Sequence, residues 1–141
     1  MAIDLGAKRT GLALSDPTGT LARPHRVITS ATPLAEIVAE ITRLQADEDG
    51  LAAIVVGLPK RLDGSPNAQT PLVEKFVGLL RTRVQTPVIT QDERLTSVEA
   101  ESLLASREKD WRRRKEKLDA AAAAVILQEY LDRWQGGADV S

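Results

Sequence analysis

Residues 51–57 read LAAIVVG, apolar at successive positions instead of alternate ones. A strand with one solvated face alternates, so an unbroken apolar run of this length describes a strand buried on both faces, with helices above and below its sheet. The flanking sequence supplies those helices. Thr32 before Pro33 predicts a helix start, and Leu34, Ile37, Val38, Ile41 and Leu44 carry an amphipathic helix to about Gly50. Ser65 before Pro66 predicts a second helix, marked by Val73, Phe76, Val77, Leu80 and Val84 and ending near Gln85. A short strand follows at Pro87 to Thr90. The capping-box pattern Thr96-Ser97-Val98-Glu99 opens a third helix that ends near Arg107, and the alanine-rich stretch from Asp119 to Trp134 forms a fourth, stopped by Gly136-Gly137.

Upstream of these units, Ala2 to Leu5, Arg9 to Ser15 and Leu21 to Ile28 read as strands joined by hairpins at Gly6 and at Asp16-Pro17-Thr18-Gly19. The element order is βββαβαβαα. Antiparallel hairpins followed by alternating units predict an α/β fold with a mixed five-stranded sheet, helices on both faces and residues 51–57 as the central strand. At 141 residues, 43% of them apolar, the chain is expected to form one domain over 1–141, with a frayed tail at 136–141.

Cysteine is absent, which removes thiolate ligands, disulfides and cysteine nucleophiles, and together with the lack of a secretory leader this predicts a cytoplasmic protein. No apolar run approaches the roughly 20 residues that cross a bilayer, so no membrane partner is expected. A net charge of −1 argues globally against a nucleic-acid binder. The local distribution reverses that reading. Residues 107–117 (REKDWRRRKEK) hold seven basic and three acidic side chains, including Arg112, Arg113, Arg114 and Lys115, and Trp111 offers a face for stacking on an unpaired base. The bland alternative for this segment is a solvated, mobile connection between helices. Lys60 and Arg61, in the loop after the apolar strand, and Lys8 and Arg9, in the first hairpin, bring further cations.

Three acidic positions carry the chemical signal, the second of them the pair Asp92-Glu93. Asp4 interrupts an apolar first strand, where a carboxylate is costly without a partner. Asp92 and Glu93 stand between a strand end and a helix start, the place where open α/β sheets bind ligands, although favourable charge at a helix N-terminus explains them as well. Asp119 opens an alanine run and taken alone is a helix cap. Together, one acid on the first strand, one after a later strand and one at the last helix can converge at a single sheet edge. An acid-only set suits Mg²⁺ or Mn²⁺, and two such ions can activate a water and stabilise a leaving oxygen. The single histidine, His25, is expected to be structural or on the surface.

Four segments in order, DLGAKRTGLALSD, IVVGLPKRLDGSP, DERLTSVEA and LDAAAAAVILQEYL, resemble the YqgF family, also called RuvX, of Holliday junction resolvases and pre-ribosomal-RNA nucleases. The resemblance covers nearly the whole chain. It implies an RNase H-like fold related to RuvC, with Asp4, Glu93 and Asp119 as metal ligands, Asp92 as an auxiliary, and Arg9, Lys60, Arg61 and Arg94 on phosphates. It further implies cleavage that leaves a 5′-phosphate and a 3′-hydroxyl. One departure is the short lead of three residues before Asp4, and another is the heavier basic segment around Trp111.

The expected function is a metal-dependent endonuclease acting on branched DNA or structured RNA, with Holliday junction resolution placed first and processing of pre-16S rRNA second. Resolution requires two active sites and predicts a homodimer. A non-catalytic nucleic-acid-binding module is the rival of another class, disfavoured because three carboxylates beside phosphates weaken pure binding. An ATPase, suggested by the DxGxxxxG pattern at Asp4, would need two such domains around its nucleotide.

Overall fold

The computed structural model describes residues 1–47, 50–92 and 120–133. Their elements are β1 (Ala2–Leu5), β2 (Arg9–Ser15), β3 (Ala22–Thr29), α1 (Leu34–Gln45), β4 (Ile54–Leu58), α2 (Thr70–Arg83), β5 (Val88–Asp92) and a helix over 120–133, here α3. The helix expected from Thr96, the basic segment 107–117 and the tail 136–141 lie outside the described residues.

The five strands form one mixed sheet in the order β3-β2-β1-β4-β5. β1 pairs antiparallel with β2 and parallel with β4, and β4 pairs parallel with β5. The centre is therefore β1 and not the run at 51–57: β4 is interior but second from the edge, and it begins only at Ile54. Its apolar pattern reports burial on two faces, which any interior strand shares.

Alternation along the strands separates two cores. Ile3, Leu12, Ile28, Ile54, Val56 and Val88 face α1 (Ile37, Ile41, Leu44) and α2 (Val73, Phe76, Val77, Leu80). On the other face Ala2, Ala13 and Val55 pack against Ala123, Ile126, Leu127 and Leu131 of α3. Among the described residues, bulky side chains thus hold α1 and α2 on one face, while small alanines of the sheet and of α3 meet on the other.

Two helix starts differ from the sequence expectation. Pro33, not Thr32, occupies the N-cap of α1, and no side chain caps it. Asp63, Gly64 and Ser65 form a turn instead of a cap: Asp63 Oδ1 accepts from the Ser65 N–H at 2.9 Å, Gly64 has φ +89°, and Lys60 bridges Pro66. Gln69 occupies the N-cap of α2 with no side-chain cap bond, and Asn67, two residues earlier, builds the turn that leads into it. Asn67 Oδ1 accepts from the N–H groups of Gln69 (2.8 Å) and Thr70 (3.0 Å), and Thr70 Oγ1 accepts from the Asn67 N–H at 2.9 Å. This reciprocal pair, with Pro71 in the first turn, delays α2 to Thr70.

Candidate active site

Asp4 lies near the C-terminal end of the central strand, half-buried, on the α3 face that it shares with Ala2. Its partner on β2 is Gly11. On the other side, Ile3 pairs with Val56, so Gly57 is the next neighbour of Asp4 on β4. Gly11 pairs in turn with Val27, and Gly57 with Gln91. One row of this face therefore reads Val27, Gly11, Asp4, Gly57, Gln91. The carboxylate stands on a row between two residues that have no side chain.

Gln91 closes the row. It is 5% exposed, and its Nε2 donates to the Ile126 carbonyl at 3.0 Å and to Glu129 Oε2 at 3.2 Å, fastening β5 to the middle of α3. The hairpin after Asp4 is fixed by sterics at Gly6, where a Cβ would stand 2.3 Å from the Arg9 carbonyl oxygen. That distance admits only glycine without movement of the backbone.

Because β1, β4 and β5 run parallel, their C-terminal ends share one edge of the sheet. The β1–β2 hairpin with exposed Lys8 and half-buried Arg9, and the loop after β4 with half-buried Lys60 and exposed Arg61, both stand at that edge. The Arg61 loop is closed by Arg61 N–H to Ser65 O (2.9 Å) and Gly64 N–H to Arg61 O (2.8 Å). Asp92 ends β5 at the same edge, but its partner is Leu58, which packs with the α1/α2 core. By register it belongs to the face opposite Asp4.

Glu93, Arg94, Trp111, Arg112, Arg113, Arg114, Lys115 and Asp119 lie outside the described residues. Among the described residues no group of three or more His, Asp or Glu side chains could hold a metal ion. Among the described residues Asp4 offers a divalent cation a hard oxygen ligand on the row between Gly11 and Gly57. This suits an ion that keeps part of its water shell. His25 is structural, as expected, with Nε2 2.8 Å from Glu40 Oε1. An open groove of about 930 Å³, lined by Asp16, His25, Leu127 and Tyr130 among others, does not include Asp4.

Sequence reasoning missed Gln91 and the part played by Gly57. An amide in the β-branched context VITQD was a usable signal for Gln91, since a strand buries such a group only where it finds a partner. Gly57 gave none, because its significance depends on which residue of β1 lies beside it.

The sheet order and the α3 helix laid over its central strand make an RNase H-like α/β fold, which RuvC shares. Thermus thermophilus RuvC superposes with a TM-score of 0.50, and the same protein in complex with Holliday junction substrate with 0.54, each over 95% of this chain at 16% identity. The alignments cover 94% and 93% of those chains.

The RuvX family model, described as Holliday junction resolvase, matches residues 1–133. A protein of Desulforudis audaxviator, named as a candidate pre-16S rRNA nuclease, is 40% identical over 137 residues, 97% of this chain and 96% of that protein. A Roseiflexus protein with the same name is 40% identical over 132 residues, 94% of this chain and 92% of its own. The chain belongs to the RuvX family and is an enzyme of the nuclease class.

Proposed function

We propose that this enzyme cleaves phosphodiester bonds in the precursor of 16S ribosomal RNA, in the cytoplasm, as a single domain. The observation that carries this reading is 40% identity, along nearly the whole chain, to proteins named for that substrate. It reverses the order of the two substrates expected above, since junction resolution rests on the family description and on a fold shared at 16% identity. The homodimer that resolution would demand is not required for trimming RNA.

In this reading Asp4, Glu93 and Asp119 hold two divalent ions, Mg²⁺ or Mn²⁺. Bound there, the ions supply an activated water and a counter-charge for the leaving oxygen. Asp4 presents its carboxylate from the central strand of the sheet, and Gly11 and Gly57, beside it, put no side chain in the way of the scissile phosphate. Lys8, Arg9, Lys60, Arg61 and Arg94 neutralise flanking phosphates. Trp111 stacks on an unpaired base, and Arg112 to Lys115 hold the strand that carries it.

The test is cleavage of a pre-16S rRNA fragment, a four-way DNA junction and duplex DNA by wild type and Asp4→Asn, with Mn²⁺ or Mg²⁺. Metal-dependent cutting of the RNA alone, lost in Asp4→Asn, is the expected result. Symmetric cutting of the junction in place of the RNA would restore the resolvase reading. Binding without cleavage of any substrate would leave a nucleic-acid-binding module.

A further inference from the structure

After Gly57 the chain runs through LPKRLDGSP, residues 58–66, before α2 begins. Asp63-Gly64-Ser65 is turn chemistry, and the Gly64 N–H closes a β-turn on the Arg61 carbonyl at 2.8 Å. Leu62 and Asp63 are therefore its two corner residues. Corners of such turns usually carry Pro, Asn, Asp, Ser or Gly. Here the first corner is leucine, and it is 73% exposed, more than Leu21, Leu72, Leu79 or Ile89, the other large apolar side chains exposed among the described residues.

Single apolar side chains are common on protein surfaces and by themselves indicate nothing. Leu62 differs in how it is held. Asp63 Oδ1 accepts from the Ser65 N–H at 2.9 Å and from Ser65 Oγ at 2.6 Å, and the Arg61 N–H donates to the Ser65 carbonyl at 2.9 Å. Gly64 takes φ +89°, and Lys60 bridges Pro66 antiparallel, so the segment returns to where it left. Its base is tied to α2 by Thr70, 1% exposed, whose Oγ1 donates to the carbonyl of buried Pro59. A leucine on a loose loop turns inward against the nearest apolar surface, because leaving water is favourable. The bonded turn opposes that and keeps the side chain presented outward.

Position supplies the partner. Leu62 follows Gly57, the β4 neighbour of Asp4, by five residues, which limits the distance between their Cα atoms to about 17 Å, the span of about five stacked base steps. Lys60 and Arg61 precede it, and Asp63, the carboxylate of the turn, is engaged with Ser65. A protein partner would need an apolar patch, whereas Arg61 and Asp63, on each side of Leu62, are charged and exposed. A nucleic acid fits both parts: cations take its phosphates, and an apolar side chain takes the face of a base, as leucine wedges do where they enter a base stack. We propose that Leu62 is a specificity-determining wedge, which packs on a base beside the scissile phosphate in place of its stacked neighbour, so that paired RNA is opened at the cleavage point. The proposal rests on the nuclease reading above.

The test compares two pre-16S rRNA fragments, one paired through the cleavage point and one mismatched there, cut in single-turnover reactions with Mg²⁺ or Mn²⁺. In Leu62→Ala cutting of the paired fragment falls about tenfold, while the mismatched fragment, already open, is cut within about threefold of wild type. Leu62→Met keeps an apolar wedge of similar size and restores cutting of the paired fragment. Leu79→Ala, which removes an exposed leucine from α2, matches wild type on both fragments. A fluorescent adenine analogue beside the cleavage point reports the opening itself: its emission rises when Asp4→Asn binds the paired fragment and stays low with Asp4→Asn/Leu62→Ala. Wild-type cutting of the paired fragment by Leu62→Ala, equal losses on the two fragments, an equal loss in Leu79→Ala, or an equal rise in emission with both Asp4→Asn proteins overturns the proposal. Wild type that cuts neither fragment overturns the reading of the substrate together with this one, whereas wild-type cutting that Leu62→Ala leaves unchanged overturns this one alone.

Discussion

Glu40→Gln tests the seam between β3 and α1, where the buried Glu40 carboxylate bonds His25 and Arg26 of the strand and Arg43 of its own helix. The arginine and histidine partners hold the Glu40 carboxyl down at about 2, from an ordinary value of 4.5, with the Arg43 hydrogen bond as the largest cause and the His25 hydrogen bond next. At 1.36 kcal/mol per pH unit the full displacement corresponds to about 3 kcal/mol. Arg26 and Arg43 are about half exposed, so solvent screening leaves roughly 1–2 kcal/mol. A depressed carboxyl stabilises the fold fully above its unfolded value near 4.5, and that contribution disappears as pH falls through the folded value near 2. Urea denaturation at pH 7 should therefore place Glu40→Gln about 1–2 kcal/mol below wild type, with the gap closing steadily from about pH 5 downward. Using the difference between the two proteins cancels the other carboxylates. A gap of the same size at pH 7 and pH 3 would refute the argument, since it would assign the loss to packing of the side chain instead of its charge.

Gly6→Ala forces a Cβ to within 2.3 Å of the Arg9 carbonyl, so the hairpin must open at a cost of about 2 kcal/mol, read as a melting point lower by about 4–8 °C. Gln91→Leu removes the bonds to Ile126 O and Glu129 and should cost about 1–2 kcal/mol, with amide exchange accelerated in 120–133 but not in β1 to β3. Exchange that rises equally everywhere would show that Gln91 does not fasten α3 in particular. Thr10 is fully buried and its Oγ1 has no hydrogen-bond partner among the described residues. Thr10→Val should therefore stabilise the protein by about 1 kcal/mol, and a lower melting point would mean the hydroxyl is satisfied.

The strands were legible because each announces itself locally. Ala2 to Leu5 and Arg9 to Ser15 have the bounds their patterns predict, and the turn between β2 and β3 forms as its composition suggests, with Asp16 accepting from Thr18 Oγ1 at 2.7 Å and the Thr20 N–H at 2.8 Å. The start of α2 was misread because Ser-Pro and Asn-x-x-Thr both describe helix starts, and only the turn at Gly64 decides between them. Strand order was misjudged for a different reason. The length of an apolar run measures how deeply a strand is buried, and β1, whose four residues include Asp4, is more central than a longer and more apolar neighbour.

That inversion bears on the candidate site. A carboxylate on the central strand cannot move out to solvent as one on a loop can, so the fold keeps Asp4 only if something stabilises its charge or function requires it there. Asp92, by contrast, is half-buried at the end of an edge strand and by register belongs to the opposite face. The sequence singled out Asp4 by its incongruity in an apolar strand and Asp92 by its place between a strand end and a helix start. The register separates them: the row of Asp4 reaches β5 at Gln91, whereas Asp92 pairs with Leu58 on the other face. Substituting Asp92→Asn should therefore leave metal-dependent cleavage within a few-fold of wild type, while Asp4→Asn abolishes it. Equal losses would mean that the two faces meet at the end of the sheet and that the site is wider than the row through Asp4.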